Sequence, residues 1–260
     1  MERRTAVITG ASSGIGAAVA RRLGAEGWNV VLAARRPRDL ETVASQSGGH
    51  SLAVVTDVTR RADLENLLQE TLKAFGRLDV WINNAGLGIG RKILDVTEDE
   101  FYEILAINLK SVFYGIQIVI PYFQQRGEGH LINVSSFLGR VPLVSFRSVY
   151  SAAKAAVNIL TANLRMDLKP SHPGIHVSLV MPGTVLTDFA KNALGGSPDL
   201  RPSSGRSPIV PQTPEEVAER IRELIESPKA ELYTNPAAPE IVSRYYRDVG
   251  AFEDEMLGGK

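Results

Sequence analysis

Thr5-Ala6-Val7-Ile8-Thr9-Gly10-Ala11-Ser12-Ser13-Gly14-Ile15-Gly16 is the stretch that decides the fold. Its first five residues, apolar or β-branched, read as a short strand. Glycines then punctuate the chain, and Ile15, Val19, Ala20 and Leu23 recur at helical spacing until Gly27 stops the helix. Strand, glycine-rich turn and helix together make an anion-binding arrangement. Glycines permit a tight turn and close backbone approach, and the free N–H groups of the first helical turn face a phosphate. The spacing is Gly-x-x-x-Gly-x-Gly, not the commoner Gly-x-Gly-x-x-Gly of dinucleotide sites. Taken alone, the turn leaves a purely structural role open.

Working outward, the same alternation repeats. Strand-like runs fall at 29–34, 51–55, 78–82, 130–134 and 176–181, with a short last one at 231–234. Helical patterns occupy 37–47, 60–75, 98–108, 112–125, 149–164 and 213–226, with Pro121 expected to bend the fifth helix of the chain. Thr213, Pro214 and Glu216 carry the N-cap, N1 and N3 signature of a helix start. Strands alternating with helices imply parallel pairing, because each return needs a long crossover. The expectation is an α/β fold over residues 1–260: a Rossmann-like, doubly wound, mainly parallel sheet of about seven strands with helices on both faces. The Gly/Ser/Pro-rich stretch 195–212 is too long for a simple connection, so 190–212 reads as a substrate lid and 235–260 as a variable tail.

Composition narrows the class. The 260 residues are 44% hydrophobic and 22% charged with no net formal charge, which gives no reason to expect nucleic acid as a partner. The absence of cysteine excludes disulfides, thiolate–zinc sites and thiol catalysis, and it is compatible with a reducing compartment. Residues 1–9 lack the apolar core of a secretory signal. The most apolar region, 112–123, is interrupted by Gln117 and Pro121 and is short for a bilayer. A cytoplasmic protein without membrane attachment is expected. His172 and His176 are separated by Pro173-Gly174, which breaks any helix that would face them together, so no metal is assigned.

Two further features carry chemistry. Lys154 is the only charge between 149 and 164, in an otherwise apolar helix, and Tyr150 lies one turn before it on the same face. A phenol beside an ammonium is an acid/base device if the cation draws the tyrosine pKa down; a packing tyrosine with a snorkelling lysine is the plainer alternative. The second strand ends in Ala33-Ala34-Arg35-Arg36, with no carboxylate for a ribose 2′-hydroxyl and two guanidiniums suited to a 2′-phosphate. NADP(H) is therefore favoured over NAD(H).

Read together, Thr9 to Gly16, Asp57, Asn83-Asn84-Ala85-Gly86, Asn108, Ser136, Tyr150 with Lys154, and Pro182-Gly183 with Thr187 resemble the short-chain dehydrogenase/reductase family in kind and order, over roughly residues 5–190. The resemblance implies hydride transfer between a nicotinamide and a carbonyl or alcohol, usually in a dimer or tetramer. It implies Tyr150 as acid/base and Lys154 as the residue that lowers the tyrosine pKa and binds the nicotinamide ribose. Ser136 would hold the substrate oxygen and Asn108 a water that links Lys154 to solvent. For the cofactor it implies Gly10, Ser12, Ser13, Gly14, Ile15 and Gly16 at the phosphates, Asp57 and Val58 at the adenine, Asn84, Ala85 and Gly86 beside the adenosine ribose, Val185 and Thr187 at the carboxamide, and Pro182 and Gly183 as further cofactor-binding positions.

Alternatives stay open at this point. Ser135 competes with Ser136, and Asn108 is also a plausible helix cap or kink. A cofactor-binding sensor or scaffold, or another nicotinamide-dependent reaction such as epimerisation, competes with carbonyl reduction. Ser136 and Tyr150 are fourteen apart, one more than is usual for the family, and the ending lacks the family's frequent Asp-Gly-Gly. That ending puts a tetramer in doubt and leaves a homodimer through the long helices as the expectation. Leu138, Val141, Leu143, Val144 and Phe146 point to an apolar substrate in a pocket bounded by 87–91, 137–146 and 190–212.

Overall fold

The structure is a computed structural model that describes residues 3–196 and 209–257. Its strands are β1 (Thr5–Thr9), β2 (Asn29–Ala34), β3 (Ser51–Val55), β4 (Val80–Asn83), β5 (Gly129–Val134), β6 (Ile175–Met181) and β7 (Glu231–Tyr233). They form one parallel sheet in the order β3-β2-β1-β4-β5-β6-β7. β1 and β2 are buried along their whole length, as strands covered on both faces must be.

Alternation along each strand divides the core. Ala6 and Ile8 of β1 join Val30 and Leu32 of β2 under α1 (Gly14–Ala25), α2 (Pro37–Gln46) and α7 (Pro214–Glu226). Val7 and Val31 point the other way, under α3 (Arg61–Phe75), α5 (Ser111–Arg126) and α6 (Ser148–Leu168). The chain order reverses between β1 and β4, so the connections after these strands diverge and leave a crevice at their carboxyl ends.

The start of α7 follows the sequence closely. Thr213 Oγ1 accepts the Glu216 N–H at 3.1 Å and the Glu216 carboxylate accepts the Thr213 N–H at 2.7 Å. The helices expected at 98–108 and 112–125 differ from expectation. α4 (Glu98–Leu105) passes through a π turn, Ala106–Lys110, directly into α5. This continuous run, Glu98–Arg126, is long and apolar enough to cross a bilayer by length and composition. Half of its most apolar window is buried within the fold, where Val112, Val119 and Phe123 pack on the sheet, as in any core helix. α6 runs to Leu168, beyond the expected 164, and so gains Arg165 and Asp167 in its last turn.

The tail expected to be variable is folded as far as 257. α8 (Ala238–Arg247) and α9 (Val249–Met256) pack Ile241 and Phe252 on Phe137, Val141 and Ile209. Of the expected lid, 197–208 lies outside the described residues.

Candidate active site

The glycine-rich turn closes over β1 because three positions tolerate no side chain. Gly10 has φ +65°, and a Cβ there would stand 2.8 Å from Ala85 Cα. A Cβ on Gly16 would stand 2.5 Å from the Gly10 carbonyl and 2.6 Å from Asn84 Nδ2. Asn84 Nδ2 donates to the Thr9 carbonyl at 2.9 Å, while Thr9 Oγ1 accepts from the Asn84 and Ala85 N–H groups. The ends of β1 and β4 are thereby stapled together. Gly14, at φ +55°, lies against Thr187 Cγ2 at 3.2 Å from its would-be Cβ, so the segment after β6 reaches back to the turn.

At the end of β2, Arg36 donates to Ser12 Oγ at 3.1 Å and Ser13 Oγ at 3.2 Å, and pairs with Asp39 at 2.9 Å. Asp57 closes the far side. Burial pushes its carboxyl up, but the Thr59 N–H and hydroxyl, helped by Arg35 and Arg60, hold it net below its ordinary value.

The other end of the crevice is set by β5 and α6. Behind it runs a buried polar chain: Trp81 Nε1 donates to Asn83 at 2.7 Å, Asn83 to Asn133 at 2.8 Å, and Asn133 to Thr161 at 2.9 Å. Such a satisfied chain fixes the register of helix on sheet. Ser135 belongs to this framework, since its hydroxyl meets Asn158 Oδ1 at 2.6 Å and the Lys154 carbonyl at 3.1 Å. Asn158 in turn donates to the Gly139 carbonyl at 3.0 Å. Ser136 instead caps the turn Phe137–Gly139, accepting the Leu138 N–H at 3.1 Å, and lines the crevice together with Tyr150.

Tyr150 and Lys154 are both buried on α6, with the ammonium 5.7 Å from the ring centre and donating to the Val134 carbonyl at 3.0 Å. Burial pushes Lys154 down to about 8. It pushes the phenol up, and the Ser136 hydroxyl and the Arg147 charge only partly offset this. The net direction is opposite to the depression that the Tyr150/Lys154 spacing leads one to expect, because desolvation outweighs Ser136 and the charge of Arg147, the cation that acts on the phenol.

Asn108 sits in the π turn, fully buried. Its Nδ2 donates to the Leu87 and Ile104 carbonyls at 2.9 and 3.0 Å, and its Oδ1 accepts the Leu87 N–H at 3.2 Å. A Cβ on Gly86 would lie 3.1 Å from that oxygen and 3.7 Å from Lys154 Nζ, which brings Asn108 next to the lysine.

One crevice of about 1140 Å³ joins the two ends. Gly10, Ser12, Ser13, Gly14, Ile15, Arg35, Arg36, Asp57, Val58, Asn84, Ala85, Gly86, Ser136, Tyr150, Lys154, Pro182, Gly183, Val185 and Thr187 all line it. Gly16 and Asn108 do not; they sit behind the wall and shape it.

The chain matches the short chain dehydrogenase family over residues 4–196. It belongs to that family. An uncharacterized oxidoreductase of Staphylococcus aureus (strain MW2) is 39% identical over 185 residues, covering 71% of this chain and 79% of the relative. A short chain dehydrogenase/reductase from Burkholderia phymatum in complex with NAD superposes with a TM-score of 0.83 at 26% identity, covering 100% of this chain and 96% of that one. An alcohol dehydrogenase from Thermococcus sibiricus complexed with 5-hydroxy-NADP gives 0.77 at 28%, covering 90% and 97%. This short chain dehydrogenase is thus a nicotinamide-dependent oxidoreductase by family. The side-chain-free cradle at Gly10, Gly14 and Gly16, with hydroxyls and guanidiniums at its mouth, fits the pyrophosphate and ribose of such a cofactor.

The substrate end differs from expectation in part. Leu138, Leu143 and Val144 line the crevice, whereas Val141 is buried in the small core under α8 and α9, and Phe146 does not line it. Arg147, Phe189 and Met256 line it without having been singled out from the sequence. Asp248, whose carboxylate caps α9 through the Ala251 N–H at 3.0 Å, is the local signal that a helix carries Met256 there.

Proposed function

We propose that this protein is an NADP(H)-dependent oxidoreductase that interconverts a carbonyl compound and a secondary alcohol, with an apolar group beside the reacting carbon. The reading rests on one observation: Ser136, Tyr150 and Lys154 line the same crevice as the glycine turn and Arg35/Arg36. When bound, the nicotinamide supplies or accepts the hydride.

This chain's residues handle the oxygen. Ser136 holds the substrate oxygen beside Tyr150. As negative charge develops there during reduction, the Tyr150 O–H donates its proton; in oxidation the phenolate takes it back. Lys154, fixed on the Val134 carbonyl, contributes positive charge and a donor for the ribose. Asn108 Oδ1 keeps a lone pair on the Gly86 side for a water that returns the proton to Lys154. Leu138, Leu143, Val144 and Met256 make the substrate wall apolar. Two features support the 2′-phosphate: the end of β2 offers no carboxylate, and both of its arginines border the crevice.

Nicotinamide absorbance over a panel of ketones, aldehydes and secondary alcohols tests the reading, with each cofactor in turn. Tyr150→Phe should cost on the order of a hundredfold or more in turnover while NADPH binding stays nearly intact; unchanged turnover removes Tyr150 from the acid role. We also propose a homodimer through the faces of α4, α5 and α6 that expose Phe101, Phe113, Ile159 and Met166. Light scattering that returns only the monomer mass of 28.2 kDa would refute it.

A further inference from the structure

Arg147, three residues before Tyr150, is 2% exposed and reaches into the substrate end of the crevice. A buried guanidinium is rare unless something holds it, and several contacts do so here. Its Nη1 donates to the Ile89 carbonyl at 3.1 Å, and a Cβ on Gly88 would stand 2.4 Å from that nitrogen. Its guanidinium carbon lies 5.7 Å from the centre of the Phe189 ring, which itself packs on Tyr150 at 5.5 Å. Three segments meet at this one side chain: the loop after β4, the start of α6 and the segment after β6.

We propose that Arg147 is a positioning residue for Tyr150, a fixed positive charge that favours negative charge on the phenol oxygen. Charge identity makes the argument. Lys154 is pushed down to about 8 by burial, so its charge is lost as pH rises through the range in which a phenol ionises. A guanidinium, with an ordinary pKa above ~12, keeps its charge there. Burial lowers Arg147 too, and the interaction with Tyr150 opposes that; reciprocally, Arg147 pulls the phenol down against burial.

Among the described residues, Lys154, with its ammonium 5.7 Å from the ring centre, and Arg147 are the two cations that share the crevice with Tyr150 at this end. Ile89, Ile104, Val149, Ala153, Leu138 and Phe189 form one uncharged cluster with Tyr150, Phe189 in direct ring contact. Of the charged groups on the neighbouring segments, Glu100 of α4 pairs with Arg91 at 3.4 Å, and Asp188 pairs with Lys191 at 2.6 Å.

The inference rests on Tyr150 being the acid/base group, and its test separates the two. Ultraviolet titration of tyrosinate in NADP⁺-saturated protein, each variant measured against the same variant carrying Tyr150→Phe, reads Tyr150 alone. Arg147→Gln keeps an N–H for Ile89 but no charge; Arg147→Lys keeps a charge. The Tyr150 midpoint should rise in Arg147→Gln and rise less in Arg147→Lys. Each unit of upward shift lowers the phenolate fraction, and with it the oxidation rate, about tenfold at a fixed pH below the midpoint. Arg147→Met, which keeps the packing of the stem, replaces Arg147→Gln if the latter does not fold. An unchanged midpoint in the uncharged variant, an equal rise in Arg147→Lys, or a wild-type Tyr150 that does not ionise before unfolding overturns the proposal. Turnover retained by Tyr150→Phe overturns the reading of the site instead, whichever way the midpoint moves.

Discussion

Acidification should unload stability through one histidine far from the crevice. His130, at the start of β5, is 5% exposed. Ser178 Oγ spends its proton on the Lys229 carbonyl at 2.6 Å, so at 2.8 Å from His130 Nε2 it must accept, which fixes the neutral tautomer with the proton on Nε2. Nδ1 then has no partner among the described residues. Burial, and secondarily the neighbouring His176, push the imidazole from 6.5 down to about 3. The unfolded chain therefore binds a proton that the folded chain refuses between about pH 6.5 and about 3. Stability is whole above that window and falls as pH drops through it. At 1.36 kcal/mol per unit the full window is worth about 5 kcal/mol, of which about 2 kcal/mol is lost by pH 5. Urea unfolding of wild type and His130→Gln between pH 7.5 and 4.5 reads the difference, since a glutamine amide can donate to Ser178 and does not titrate. The two stability curves should converge or cross as pH falls. Parallel curves would show that His130 is not the group responsible.

The cofactor end gives two sharper expectations. Gly16→Ala places a methyl 2.5 Å from the Gly10 carbonyl, so it should cost about 1–3 kcal/mol in thermal unfolding and weaken NADPH in a fluorescence titration. Gly49→Ala, with nothing within 4 Å, serves as the silent control. Arg35→Ala should weaken NADPH by roughly 10- to 100-fold, the worth of a charged hydrogen bond, and NADH far less. Equal losses for both cofactors in paired titrations would show that Arg35 does not read a 2′-phosphate.

What was legible in the sequence follows from which physics acts locally. Glycine spacing, strand alternation and the Thr213/Glu216 cap are set by residues within a few positions of one another, and the structure keeps all three. The site residues that line the crevice were legible because the resemblance supplied a frame in which distant motifs belong together. The misses are of another kind. The π turn at Ala106–Lys110 lets Asn108 leave the helical ladder and hold Leu87 from both sides, a demand that originates in the loop after β4 and leaves no periodic trace. The tail was unreadable as structure because α8 and α9 are short, and their order comes from Phe252 and Ile241 docking on a core built from the loop after β5. Arg147 is the most instructive case. In sequence it is one arginine in a loop, where a solvated charge is the default reading. Only the fold shows that Gly88 has no side chain where the guanidinium must lie and that Phe189 covers it. The electrostatics of Tyr150 therefore depend on a cation whose burial is decided by residues 59 positions before it and 42 after it in the chain. The Tyr150/Lys154 spacing singled out the pair proposed to react, but the sign of the net shift on the phenol depends on desolvation, which no local pattern encodes.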